Sequence, residues 1–181
     1  MPTPRSADAD SAVVSRLRAA GCVFAEEEAD LLMSAARSET ELAAMIERRV
    51  AGLPLEQILG WAEFCGLQIT VDSGVFVPRR RTEFLVDQAA VLARESDRGR
   101  QASGTGGEHA RGEPPIVVVD LCCGSGAVGV ALVAALTWVE LHAADIDPAA
   151  VRCARRNVVP VGGAAYLGDL FAPLPAALRG R

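Results

Sequence analysis

Apolar positions between Asp10 and Ala51 recur at spacings of three and four, ending in Leu42, Met45, Ile46 and Val50, which is the period of a one-sided amphipathic helix. Ser38 followed by Glu41 reads as a capping box opening that last helix, and Gly52 with Pro54 supplies its stop. Glu26, Glu27 and Glu28 stand where a helix should begin, where negative charge suits the helix dipole, and no chemistry is assigned to them. The pattern predicts a small helical domain over residues 1–60. From Trp61 to Val77 the residues turn aromatic and β-branched, with Cys65-Gly66 and Asp72-Ser73-Gly74 as turn signals, so a two-stranded hairpin linker is predicted over 61–81. A helix from Thr82 to about Arg94 should follow. Glu95 to Pro115 then lacks large apolar residues, which predicts a flexible loop with His109 as a solvated side chain.

Beyond the loop the period alternates. Ile116–Leu121, Val139–Asp145 and Ala164–Leu167 read as strands; Ala127–Leu136 and Pro148–Asn157 read as helices. Asp147 before Pro148 is a good N-cap with proline at the first helical position. Strand–helix alternation implies parallel strands joined by right-handed crossovers, so residues 82–181 are predicted to start a doubly wound, Rossmann-like α/β sheet.

Composition narrows the class. The 181 residues are 50% hydrophobic, yet no segment reaches the roughly 18 uninterrupted apolar residues of a membrane span. Met1 to Asp10 is polar and acidic rather than basic and then apolar, which points to a cytoplasmic protein. A net charge of −5, from 23 acidic and 18 basic residues, disfavours sequence-independent nucleic-acid binding and suits a protein or small-molecule partner. Every basic residue is Arg and none is Lys, a bias spread through the whole chain that implies no phosphate patch. Five cysteines without a C-x-x-C spacing imply free thiols and no zinc site.

The informative stretch is Asp120-Leu-Cys-Cys-Gly-Ser-Gly-Ala-Val-Gly129. Gly124, Gly126 and Gly129 have dinucleotide spacing, and Asp145 falls 21 residues after Gly124, where an acid would hold ribose hydroxyls. On spacing alone a nicotinamide oxidoreductase is a live reading. Charge argues otherwise: a carboxylate at Asp120 would face the pyrophosphate that the helix N-terminus attracts. S-adenosylmethionine carries an ammonium and a sulfonium and no phosphate, so the same carboxylate attracts it. Asp145 can still take its ribose diol, and Asp169, after the third strand, falls where the adenine edge would lie. The bland alternative makes Asp120 a helix cap and the other two ordinary loop acids. Cys122 and Cys123 read as small loop-filling residues, because a disulfide between neighbours is strained.

Two blocks, Gly52-Leu-Pro-Leu-Glu-Gln-Ile-Leu-Gly-Trp-Ala-Glu-Phe64 and Val77-Pro-Arg-Arg-Arg-Thr-Glu-Phe-Leu-Val86, resemble the pre-core region of HemK-type glutamine methyltransferases. The resemblance resumes through Asp120–Gly126, Ala144-Asp-Ile-Asp-Pro148 and Gly168-Asp-Leu170, covering about half the chain. It implies a class I S-adenosylmethionine-dependent methyltransferase sheet behind a helical domain and a hairpin. It also implies methylation of the glutamine side-chain amide of peptide-chain release factors. Carried over by position, it implies cofactor contacts from Cys122, Cys123, Gly124, Ser125, Gly126, Asp145, Asp169 and Leu170, beside Asp120. The implied partner is a release factor, with no membrane and no direct nucleic-acid binding, and the complete enzyme is expected to be a monomer.

Several positions depart from the family pattern. Cys122-Cys123 replaces Gly-Thr and removes a permissive glycine from the loop; Arg80-Arg81 replaces Pro-Glu, in a run that reads equally as a solvated turn; Leu170 replaces a frequent aromatic. The family holds the substrate amide with an N-P-P-Y motif, whereas the one asparagine here, Asn157, precedes valine. The sequence therefore predicts that this chain alone binds cofactor weakly at most, does not turn over, and is only marginally stable because Ile116–Leu121 is left as an apolar sheet edge. Two other readings stay open: a methyltransferase acting on nucleic-acid bases, and a non-catalytic cofactor-binding fragment.

Overall fold

The computed structural model describes residues 7–103 and 115–180. By packing, the chain separates into two compact units, Met1–Gly60 and Trp61–Arg181.

The first unit holds α1 (Ala7–Ala19), α2 (Ala25–Ala35), α3 (Glu39–Val50) and the short α4 (Leu55–Leu59). Leu17, Ala25, Ala29 and Leu32 are fully buried, with Leu42, Met45, Ile46 and Ile58 packed around them. Half of the capping box forms as predicted: Ser38 Oγ accepts from the Glu41 amide at 3.1 Å. The returning Glu41 carboxylate takes the Arg37 amide at 2.8 Å, one residue before the cap. The Glu26–Glu28 run does more than meet a dipole. Glu26 pairs with Arg18, and Glu28 takes Arg49 through two bonds of 2.6 and 3.0 Å in a partly buried fork.

The second unit opens with the hairpin, β1 (Trp61–Phe64) and β2 (Leu67–Thr70), antiparallel around Cys65-Gly66. Phe64 and Ile69 point into the core, and Glu83 Oε1 accepts the Cys65 amide at 3.1 Å, fastening the turn to the next helix. That helix, α5, spans Glu83–Ser103. It corrects the predicted boundary, since residues 95–103 are helical rather than loop. Glu, Arg, Gln and Ala in that stretch favour helix, and a stretch without large apolar residues carries no periodic signal to show it. The rest of the predicted loop, with His109, lies outside the described residues.

The sheet is parallel, in the order β3 (Ile116–Leu121), β4 (Val139–Asp145), β5 (Ala164–Leu167), with α6 (Ala127–Ala135) and α7 (Pro148–Val158) as connections. All three strands keep their predicted limits. α6 and α7 pack side by side, with Ala143, Val151, Ala154 and Val158 essentially sealed from solvent. Among the described residues β3 is hydrogen-bonded to a strand on one side only, and Val119 on it is 36% exposed. No described helix is long and apolar enough to cross a membrane.

Candidate functional site

Parallel strands end together, so the turn after β3 and the turn after β4 meet at one end of the sheet. The β3 turn runs from Cys122 to Gly126 and delivers the chain into α6. It is stitched to β4 by the Cys123 amide on the Ala144 carbonyl at 3.0 Å and by the Gly124 amide on Asp145 Oδ2 at 2.9 Å. The other oxygen of Asp145 accepts the Asp147 amide at 2.9 Å. Each carboxylate oxygen keeps a second lone pair, so Asp145 shapes the loop and can still accept from a diol.

Cys122 stands at φ +54°, in the left-handed region that glycine adopts at little cost. The loop therefore keeps a glycine-type path through a residue with a side chain, at a cost of about 1 to 2 kcal/mol.

Asp120 is largely buried, and its Oδ2 accepts the Gly129 amide at 3.0 Å, from the first turns of α6. Burial pushes its carboxyl up to about 6, the Gly129 N–H works against that rise, and the neighbouring Asp145 carboxylate adds to it. The side chain ties the helix, as the bland reading expects, and it also lines the cavity. The Cys123 thiol is pushed up to about 12, by burial first and then by Asp120 and Asp145.

These residues form one wall of a cavity of about 460 Å³, within the range of roughly 300–1,000 Å³ typical of small-molecule sites. Asp120, Cys122, Cys123, Gly124, Ser125 and Asp145 all line it. The opposite wall comes from the segment after the hairpin, Gly74, Val75, Phe76, Pro78 and Arg79, with Thr82 and Leu85. Sequence reasoning treated that segment as a linker and missed its part in the cavity. Its signal was an aromatic and an arginine just past a turn with no strand to pack into: Phe76 is 65% exposed, with the Arg79 guanidinium 5.4 Å from its ring centre. Arg80 and Arg81 sit in a single exposed 3-10 turn, Arg80–Thr82. Asp147, read only as an N-cap, does cap α7 through the Ala149 amide at 2.8 Å and also lines the cavity.

Three predicted contacts lie elsewhere. Gly126 is absent from the lining: it holds the α6 N-cap at φ +77°, and a Cβ there would come within 2.7 Å of Val158 Cγ2. Asp169 and Leu170 are exposed just past β5, outside the lining, although the Gly168 amide on the Asp145 carbonyl at 3.0 Å ties their turn to the Asp145 turn. Leu170, like Cys122, has a left-handed backbone, at φ +44°.

The cavity sets three aspartates against a single arginine, Arg79. Holding Asp120 ionised in its buried position is costly, and a cation beside it removes that cost, whereas a pyrophosphate would add to it. The residues present fit S-adenosylmethionine: Asp120 and the glycine loop could hold its ammonium, and Asp145 its ribose hydroxyls.

The thiols give a direct check on this geometry. Iodoacetamide at pH 8 is expected to label the exposed Cys122 and to spare the buried Cys123, with saturating S-adenosylhomocysteine slowing the Cys122 adduct, as read by peptide mass spectrometry. Equal labelling of both thiols, or labelling indifferent to ligand, would contradict the placement of Cys122 on the cavity wall.

A glycine loop at the strand ends of a parallel sheet, with a carboxylate at or next to the end of each of two neighbouring strands and an acidic cavity between them, matches a class I methyltransferase domain. The family model for the methyltransferase small domain matches residues 110–173. The chain is similar to the release factor glutamine methyltransferase of Corynebacterium glutamicum, 38% identical over 76% of this chain and 40% of the relative. It is similar to proteins of the same description from Moorella thermoacetica, 33% identical over 89% of this chain and 59% of the relative, and from Bradyrhizobium diazoefficiens, 30% identical over 97% and 56%. These similarities support placing the chain in the HemK-type family. The chain spans about half the length of the curated relatives it matches.

Proposed function

We propose that this chain supplies the S-adenosylmethionine-binding half of an enzyme that methylates the side-chain amide of glutamine in peptide-chain release factors. The observation that carries the cofactor reading is the buried Asp120 carboxylate, coupled to Asp145 and facing a cavity whose neighbouring backbone is glycine loop. In this reading Asp120 neutralises the cofactor's ammonium, and the loop Cys122, Cys123, Gly124 and Ser125 lies along its amino-acid part. Asp145 accepts from the ribose diol. Asp169 and Leu170, tethered beside Asp145 through Gly168, close over the adenine. Gly126 acts indirectly, by letting the loop enter α6. The bound cofactor supplies a methyl group on a sulfonium, an electrophile that an amide nitrogen attacks only when held in line.

The domain assignment follows the same reading: residues 1–60 as the helical N-terminal domain, 61–81 as the linking hairpin, and 82–181 as the first half of the methyltransferase domain. Release factor as substrate rests on the names of the relatives and on the Gly52–Phe64 and Val77–Val86 blocks, which the base-methylating reading does not explain.

Isothermal calorimetry tests the cofactor reading. S-adenosylhomocysteine should bind the 181-residue chain with measurable heat, and NAD should give none at the same concentrations. Preference for NAD would remove the basis of the assignment. The substrate is tested separately, with a protein that contains this chain and the remainder of its methyltransferase domain: labelled methyl should enter a release factor and fail to enter the same factor with its acceptor glutamine replaced by alanine.

A further inference from the structure

Asn157 is the only asparagine in the sequence, and it lies on α7, outside the cavity lining. Its side chain nevertheless ties the glycine-loop wall to the end of β2, the strand that leads into the far wall. Oδ1 accepts the Thr70 amide at 2.9 Å, Nδ2 donates to the Thr70 carbonyl at 2.9 Å, and the same Nδ2 donates to the Ser125 carbonyl at 2.8 Å. The side-chain amide meets both backbone groups of Thr70 as a neighbouring strand would, and spends its second N–H on the glycine loop. Thr70 ends β2, five residues before Val75 on the far wall, with fully buried Val71 between as an anchor. Ser125 lies on the near wall and is itself buried.

We propose that Asn157 is a positioning residue for the cofactor cavity, setting the separation between the glycine loop and the Gly74–Phe76 segment by binding the Ser125 carbonyl in the loop and the backbone of Thr70, from which the chain runs on into that segment. The inference rests on the cofactor reading above. No other natural side chain of this length offers one acceptor and two donors in a plane, so the tie is specific to the amide. Asp at this place would keep the bond to the Thr70 amide and set its carboxylate against two carbonyl oxygens. Ala would leave the Ser125 and Thr70 groups without these partners. α7 also supports the hairpin independently of the loop, because Arg156 pairs with Asp72 at the surface. Removing that pair loosens the hairpin side alone and so serves as a control.

The test measures S-adenosylhomocysteine affinity by calorimetry at a temperature where every variant is folded by circular dichroism. Asn157→Ala and Asn157→Asp are each expected to weaken binding about tenfold, and Arg156→Ala to leave it within about twofold, as for an exposed ion pair. Binding by both folded Asn157 variants within twofold of wild type would overturn the inference, and so would an equal loss in Arg156→Ala. Hydrogen exchange on the wild-type chain reads the same link without a substitution and decides the matter where the variants do not fold. Ligand should slow exchange of the Thr70 amide, which lies outside the cavity, and an unchanged Thr70 amide overturns the proposal. If the wild-type chain binds no S-adenosylhomocysteine at all, the cofactor reading fails first and this inference with it; wild-type binding with unaffected variants removes the inference alone.

Discussion

Asp120→Asn is expected to make the ligand-free protein more stable and its cofactor complex weaker. The carboxyl is raised from 3.8 to about 6 in the folded state, chiefly by burial. A raised acid favours folding while it is protonated. That contribution is complete below the unfolded value near 3.8 and is lost as pH climbs through about 6. At pH 7.5 wild type therefore carries a buried charge that costs roughly 2 to 3 kcal/mol. The asparagine carries none, while its Oδ1 can still accept the Gly129 amide. Urea unfolding at pH 7.5 should show the variant more stable by that order, with the gap closing towards pH 4. The same charge is what the ammonium of the cofactor meets, so calorimetry should show affinity for S-adenosylhomocysteine falling about 10- to 100-fold, the worth of a charged hydrogen bond in a desolvated site. Wild-type affinity should also weaken as pH drops through about 6. A variant that is less stable at pH 7.5 and binds ligand normally would show that Asp120 is only a helix tie.

Gly126→Ala should lose stability before it loses ligand contacts. The residue stands at φ +77°, and its Cβ would fall 2.7 Å from Val158 Cγ2 and 3.5 Å from Ala154 Cβ. Val158 is fully buried against α6 and has no free direction in which to move. Left-handed strain of about 1 to 2 kcal/mol and overpacking of about 1 to 3 kcal/mol add to a loss of roughly 2 to 5 kcal/mol. The measurement is a shift in the urea midpoint at an unchanged slope. If Gly126 contacted the cofactor and nothing else, the midpoint would stay put and only calorimetry would register the change.

The same contrast separates what could be read from the chain and what could not. Strand limits were legible because β3 is a short apolar run and β4 and β5 are short segments rich in Val, Leu and Ala, each bounded by turns and separated by helical periods. The cap at Asp147 was legible because its bond is local, and so were Asp120 and Asp145, which lie at or next to the ends of neighbouring strands whose topology follows from the alternation. The end of α5 was not, since a helix extension without an apolar face has no periodic signature.

By itself the sequence determined the element types, the glycine turn, the acidic character of the strand ends and the family resemblance. These rest on local propensity, two- and four-residue periods and charge type, all of which act between near neighbours. Only the tertiary structure decided that Gly126 serves helix packing, that Asp120 is buried enough to be raised, that Phe76 and Arg79 form the far wall, and that Asn157 ties the glycine loop to the end of β2. Each of those facts depends on groups far apart in the chain, 87 residues in the case of Asn157 and Thr70. Distances of that kind are set by how α7, the hairpin and the glycine loop pack together, and no pattern along a single segment encodes them.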